Sequence, residues 1–473
     1  MMHFKKIILL FSLSFFHFQF FAQGNWEKID AGTEFSVALK SDGTLWAWGN
    51  NGNGQLGINN TTNQQLPVQV GTDTDWETFS LGAIHCLAIK TDGTLWAWGL
   101  NGNGQLGLGN TTDQSTPTQV GTDSDWRTVD GGQAHSLAIK DDNTLWAWGF
   151  NTNGQLGLGN TSEQNTPTQV GSSTDWMAIA SGGGHSLALK TDGTLWAWGA
   201  NFTGQIGNGT TDQQNDPTQI GTDTDWIEIS AGFEFSVGRK SDNSLWTWGF
   251  NGNGQLGNGT LTQEVTPAQI GMNNEWRKII AGASFAFAIE MDSTLYGWGF
   301  NGEGQLGDGT TTQQSTITQI GTSSDWCDMA AADGVIVGNS VFGTHSLGLR
   351  GTKNIICASG SNYVGQLGDD TTTDRLEFLC DVGDISVSLN DLTVTDAISI
   401  HPNPSFGYFT INLESVDTDF SDLKIYNATG QLILSQEVTE TSFEVDLPNN
   451  SKGVYYLVFE NQETTLTKKI ICH

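Results

Sequence analysis

One pattern runs through most of this chain and leaves few folds open to it. The heptapeptide Asn-Gly-Asn-Gly-Gln-Leu-Gly begins at Asn51 and returns with small changes at Asn101, Asn151, Asn201, Asn251 and Asn301, fifty residues apart each time. A seventh copy, Asn-Tyr-Val-Gly-Gln-Leu-Gly, begins at Asn362, eleven residues late. All 18 Trp fall into three registers of the repeat: the Trp26 set, ending at Trp326; the Trp46 set, ending at Trp246; and the Trp48 set, ending at Trp298. Self-similarity at such a period marks a repeat architecture, in which each copy buries its apolar surface against its neighbours.

Within a copy the apolar residues alternate as short strands do. Trp26 to Ala31, Phe35 to Lys40 and Thr44 to Gly49 read as strands, with a weaker one at Pro67 to Val70, and Asp42-Gly43 marks a tight hairpin. In the third strand Trp46 and Trp48 point to one face, Leu45 and Ala47 to the other, so the sheet must be covered on both sides. Four strands per unit, both faces buried and seven units predict an all-β chain whose main part is a seven-bladed β-propeller. An open stack would need polar end copies, and the first six copies carry none. A β-helix has coils shorter than fifty residues.

A catalytic group is needed once, so polar residues present in every copy read as architecture. Gln55, Gln105, Gln155, Gln205, Gln255, Gln305 and Gln366 suit the tying of loop backbone. His85, His135, His185 and His345 share a register with Phe35, Phe235 and Phe285, which argues for a flat ring rather than a metal ligand or a triad. The acidic loops at Asp73 and Asp75, Asp123 and Asp125, and Asp223 and Asp225 read as turn chemistry and a solvated rim, with Ca²⁺ binding the alternative. No phosphate loop, metalloprotease helix or nucleophile elbow occurs, so no catalytic residue, metal or cofactor is expected.

Function is then sought where copies differ. The two residues before the ring register vary, as do those following Trp-Gly. The candidate binding face drawn from these positions comprises Glu34, Ile84, Gln133, Phe233, Glu234, Leu100, Phe150, Phe250 and Phe300. Loops on a rigid frame commonly carry recognition, and aromatic side chains suit protein contacts. The eleven-residue insertion, within Ala331 to Leu349, is the other individual feature.

Charge narrows the partners. Asp and Glu number 51 against 19 Lys and Arg, a net charge of -32, so no basic stripe exists to hold nucleic acid. Residues 1–23 read as a secretory signal peptide: Lys5 and Lys6, an apolar run from Ile7 to Phe21 too short to span a membrane, then Ala22-Gln23-Gly24. The mature chain is thus expected to lack a transmembrane span. Export passes an oxidising compartment, so a disulfide among Cys327, Cys357 and Cys380 is permitted, Cys357–Cys380 being favoured by position. After Asp384 the repeat stops. A linker at 385–397 precedes short alternating strands at Ile398–His401, Tyr408–Leu413, Leu423–Tyr426, Gln431–Ser435, Ser442–Val445 and Val454–Phe459, which suggest a small Ig-like β-sandwich over 398–473.

Two resemblances follow from these residues. Gly182-x-x-His185-Ser-Leu-Ala-Leu-Lys, Asp192-Gly-Thr-Leu-Trp-Ala-Trp-Gly and Asn201-x-x-Gly-Gln-Ile-Gly, repeated through residues 24–384, resemble the regulator of chromosome condensation 1 family, which implies a seven-bladed propeller. Pro402-Asn403-Pro404, Ile425-Tyr426-Asn427 with Gly430-Gln431, Gly453-Val454-Tyr455-Tyr456 and Lys468-Lys469-Ile470 resemble the type A C-terminal sorting domain of the type IX secretion system. That resemblance implies passage through the periplasm to the outer surface or the medium. The first family's exchange-factor activity needs a β-wedge, for which the strict spacing of the first six copies leaves no room. Its photoreceptor branch needs Trp where this chain has Thr33, Ala83, Gln133, Gly183, Phe233 and Ala283. The expectation is a non-enzymatic scaffold that binds a protein partner. The alternatives are a secreted enzyme inhibitor, a binder or hydrolase of surface glycans and, last, a guanine nucleotide exchange factor.

Overall fold

The computed structural model describes residues 25–271, 274–332, 335–337, 340–342, 344–351, 355–380 and 382, then 398–401, 408–413, 422–427, 432–438, 442–447, 452–460 and 465–472. Residues 1–23, read above as a signal peptide, the expected linker at 385–397 and Pro402-Asn403-Pro404 lie outside the described residues. Among those described there is no helix, and so none long and apolar enough to cross a membrane. The chain divides into two compact units, Met1–Gly383 and Asp384–His473.

In the first unit each copy of the repeat forms one four-stranded antiparallel sheet with its strands in chain order. The first sheet holds Trp26–Gly32, Phe35–Lys40, Leu45–Gly49 and Gln64–Gln69, and the seventh holds Trp326–Ala331, His345–Arg350, Ile355–Gly360 and Arg375–Cys380. The Asp42-Gly43 hairpin closes the second and third strands: Gly43 sits at φ +76°, and a Cβ there would stand 2.2 Å from the Thr74 carbonyl oxygen. The fourth strand differs from expectation. It begins at Gln64 and runs through Pro67, which falls where pairing with the third strand is interrupted between Ala47–Val68 and Gly49–Gln64. Proline lacks an N–H to donate, and an outer strand at a bulge is where that loss is tolerated.

Both faces of every sheet are covered, as the pattern Leu-Trp-Ala-Trp requires. Leu45 and Ala47 of the first sheet share a core with Trp76 and Trp98 of the second, and the same pairing recurs from sheet to sheet. The seventh sheet meets the first in the same way, Leu347, Ile356 and Ala358 packing with Ala38 and Trp48. Trp48, Trp98, Trp148, Trp198, Trp248 and Trp298 are fully buried. Each covers roughly 150–250 Å² of ring, a gross stabilisation on the order of 4–6 kcal/mol at about 25 cal/mol per Å². The indole N–H of Trp98 donates to the Gln55 carbonyl at 3.0 Å, and that of Trp48 to the Gln366 carbonyl at 2.9 Å. The Gly-Gln-Leu-Gly loop of one sheet therefore lies across the next. Gly57 shows why the loop needs glycine: it sits at φ +70°, and a Cβ would come within 2.7 Å of the Trp98 ring.

The seventh copy carries two departures. Its insertion forms a hairpin of Val335–Val337 with Ser340–Phe342, between the first and second strands of that sheet. Cys357 and Cys380 pair across the third and fourth strands and are disulfide-bonded, in the register occupied by Trp46 and Gln69 in the first sheet. Cys86 is buried and free, and Cys327 is exposed and free.

The second unit contains a three-stranded and a four-stranded antiparallel sheet. Phe409, Ile411 and Val445 from one share a core with Leu423, Ile425, Leu457 and Phe459 from the other. The described strands include Thr465–Cys472, which the sequence reading missed because Lys468-Lys469 interrupts its apolar alternation. It pairs along its length with Gly453–Glu460, a partner that local periodicity does not reveal.

Candidate functional site

Most conspicuous polar residues of the repeat are consumed in joining one sheet to the next. His85 Nε2 lies 3.0 Å from Ser136 Oγ of the following sheet, and Ser136 Oγ donates to the Gln105 carbonyl at 2.8 Å. With the hydroxyl proton so engaged, Nε2 must be the donor, so the imidazole cannot act as a base toward that serine. His135–Ser186, His185–Ser236 and, from seventh sheet to first, His345–Ser36 repeat the contact at 3.1, 3.0 and 2.7 Å. All four histidines are completely buried. Burial pushes the pKa of His85 and His185 down to about 3 and that of His135 to about 4, so these rings are neutral.

The acidic loops are likewise committed. Lys90 Nζ reaches Asp73 at 2.7 Å and Asp75 at 3.0 Å while lying 4.8 Å from the ring centres of both Trp76 and Trp96. Lys140 and Lys240 repeat this cage with Asp123 and Asp125, and with Asp223 and Asp225. Burial alone would lower the Lys90 pKa, but its hydrogen bonds to Asp73 and Asp75 carry it above the ordinary value. Among the described residues no group of three or more His, Cys, Asp or Glu is placed to hold a metal ion.

The first strands of all seven sheets line one cavity of about 330 Å³. Sequence reasoning did not find it, although its signal is visible in the registers of Lys28 and Asp30. Lys28, Thr78, Thr128, Ala178, Glu228, Lys278 and Asp328 differ from copy to copy, as do their counterparts two residues on. Here too the polar groups have partners. The Asp30 carboxylate accepts the Leu81 N–H at 2.8 Å, Asp130 accepts the Ser181 N–H at 2.6 Å, and Ser230 Oγ accepts the Ala281 N–H at 2.9 Å. Each thus satisfies a free N–H on the innermost strand of the next sheet. Lys28 donates to Thr78 Oγ1 at 2.8 Å, and Lys278 pairs with Asp328. Burial raises the Asp130 pKa to about 7, with nearby Asp30 contributing in the same direction.

What remains uncommitted gathers at one end of the sheets. The residue before each ring accepts an N–H from the residue after Trp-Gly: Asn50 to Glu34, Leu100 to Ile84, Phe150 to Ala134, Phe250 to Glu234 and Phe300 to Ser284, at 2.8–2.9 Å. Two sets of variable positions far apart in sequence are therefore adjacent in every sheet. The preceding residues link the sheets through backbone, Thr33 N–H to Ala83 O at 2.8 Å and Phe233 N–H to Ala283 O at 3.2 Å among them. Of the nine candidates Gln133 is exposed, and Glu34, Ile84, Leu100, Phe150, Phe233, Glu234, Phe250 and Phe300 are half-buried. The Phe250 and Phe300 rings lie over Gly252 and Gly302, and the Phe233 ring over Gly183. Glu34 accepts a hydrogen bond from the Asn50 amide at 2.7 Å.

Two residues on this end were overlooked. Phe202 is 63% exposed and Tyr363 50% exposed, the former among the most exposed large apolar side chains described. Both occupy the second position of the Asn-x-x-Gly-Gln loop, where other copies carry Gly52, Gly102, Thr152, Gly252 and Gly302. That contrast was readable from the repeat alone.

Residues 16–277 match the RCC1-like domain, and residues 292–336 match the regulator of chromosome condensation (RCC1) repeat. Residues 399–473 match the secretion system C-terminal sorting domain. Among curated proteins, the X-linked retinitis pigmentosa GTPase regulator of Canis lupus familiaris is 43% identical over 51 residues, which is 11% of this chain and 5% of that protein. Among solved structures, human WBSCR16 is 23% identical with a TM-score of 0.60, covering 66% of this chain and 85% of that one. Prp20p of Saccharomyces cerevisiae is 20% identical with a TM-score of 0.64, covering 77% and 90%. At such identities the structural likeness speaks for the fold alone. The chain belongs to the RCC1-like domain family and ends in a secretion system C-terminal sorting domain.

Proposed function

We propose that the chain is an exported, non-enzymatic scaffold that binds another protein through the variable end of its sheets. In this reading the seven sheets are the blades of a closed seven-bladed propeller. The second unit is an Ig-like sandwich recognised by the type IX secretion machinery, which delivers the protein by way of the periplasm to the outer surface or the medium. One observation carries the reading: recurring side chains such as His85 and Lys90 are engaged in structural contacts, and so are the copy-specific polar residues lining the cavity, whereas the remaining copy-specific residues collect at one end. A rigid frame with individual loops is built for recognition rather than for proton transfer.

Photo-reactive residues placed at Gln133 and Phe300 in the secreting culture should give discrete cross-linked proteins, while one at Asp92, on the opposite hairpins, should not. Equal cross-linking from both ends, or none from Gln133 and Phe300, contradicts the binding role. Deleting residues 398–473 should leave the protein in the periplasm, and undiminished export would refute the sorting role.

A further inference from the structure

The variable end is electrically one-sided. The turns joining first and second strands, and the loops joining third and fourth, carry ten carboxylates and no Lys or Arg among the described residues, and one of the ten, Asp369, is paired with Arg375 at the start of the seventh sheet's fourth strand. The cations of the second strands, such as Lys90, Lys140 and Lys240, sit at the opposite end and are paired there. A surface of one sign attracts and orients an oppositely charged partner.

Within this surface the fourth and fifth sheets make a particular spot. Glu34 and Glu234 occupy the same register, but the position that supplies an amide to Glu34 is Phe250 in the fifth sheet, which has no side-chain donor. The Glu234 carboxylate thus has no hydrogen-bond or ion-pair partner among the described residues, and its half-burial raises its pKa. Aromatic residues neighbour it along the chain and through its backbone carbonyl. Phe233 precedes it, Phe250 donates its N–H to the Glu234 carbonyl at 2.9 Å, and Thr203 Oγ1, next to Phe202, lies 3.2 Å from the same carbonyl. In the neighbouring fourth sheet the two residues before the ring and the one after Trp-Gly are Gly183, Gly184 and Ala200, all small, and its loop carries Phe202. An unpaired carboxylate with aromatic residues as its neighbours can accept a guanidinium or ammonium group, by charge and by cation–π attraction.

We infer that Glu234 with Phe202, Phe233 and Phe250 forms the receptor for an Arg- or Lys-bearing extended segment of a partner protein. This rests on the protein-binding reading above and names the partner's chemistry.

Fluorescence anisotropy of the purified full-length protein with a labelled Gly-Arg repeat decapeptide tests it, with a Gly-Glu peptide as the opposite-charge probe. Glu234→Gln should weaken binding at least about tenfold and Phe202→Ala about fivefold. Glu77→Gln removes the same charge from an exposed site on the second sheet's first strand and should change binding less than about twofold. No binding of the Gly-Arg peptide, or equal losses in Glu234→Gln and Glu77→Gln, overturns the inference. If cross-linking still captures a protein at Gln133 and Phe300, and Glu234→Gln leaves that capture intact, the cationic-segment inference fails and the scaffold reading stands.

Discussion

The histidine register shows how a residue that looks catalytic serves construction. Each buried histidine faces a serine in the following sheet; where the ring is Phe35 or Phe235 the residue opposite is Cys86 or Ala286, and opposite Phe285 stands Ser346, whose hydroxyl donates to the Gln305 carbonyl instead. Every imidazole donor is thus matched with an acceptor, and two of the three Phe rings with an apolar neighbour. Ser136→Ala should therefore cost about 1–3 kcal/mol by stranding the His85 N–H, and adding His85→Phe should recover most of it. Urea unfolding followed by Trp fluorescence measures both, and additive losses would contradict the pairing. The same rings set an acid response. Unfolded histidine gains a proton near pH 6.5, while folded His85 and His185 resist to about 3 and His135 to about 4. The unfolded chain thus binds more protons in this window, so stability should fall as pH drops from 6.5 to 4. Asp130 works in the opposite sense. Its folded pKa of about 7 favours the folded state at low pH, a contribution lost as pH rises through 7. Asp130→Asn should steepen the acid loss, which midpoints measured across that window would reveal.

At the scale of the element, sheets were legible where residues repeat and obscure where proline or lysine breaks the alternation. The hairpin glycines, the alternating Trp and the two-faced third strand announce the first three strands. The fourth begins earlier than Pro67 suggests, because an outer strand tolerates a residue that central strands reject. Thr465–Cys472 escaped because lysines break its apolar alternation, although it pairs with the described strand that precedes it in sequence. The disulfide illustrates local substitution. Cys357 and Cys380 stand where the first five sheets place Trp against Gln and the sixth Tyr296 against Gln319, so the seventh sheet holds its outer strand covalently. Replacing both cysteines by serine should lower stability by about 2–4 kcal/mol, read as a shift in the denaturation midpoint, and an unchanged midpoint would contradict that role.

Across the whole molecule, identical copies make the architecture readable and hide the site. Whatever recurs is explained by contact between sheets, so the Trp, Gln, His and acidic loops that dominate the sequence say little about a ligand. The nine candidate residues came from the remainder, and hydrogen bonding unites their two registers at one end. Phe202 and Tyr363 stood in that remainder as well, but inside a motif read as constant. The cavity along the first strands was missed because its variable residues alternate with buried ones in a strand taken as pure frame. The central claim is that recognition belongs to the variable end and construction to everything else. Hydrogen exchange of the protein with and without its cross-linking partner tests this most directly. The account predicts slowed exchange around residues 50–53, 200–204, 233–234 and 250–253, with none in the hairpins at 41–43, 91–93 and 141–143; protection of those hairpins, with the first set unchanged, would contradict it.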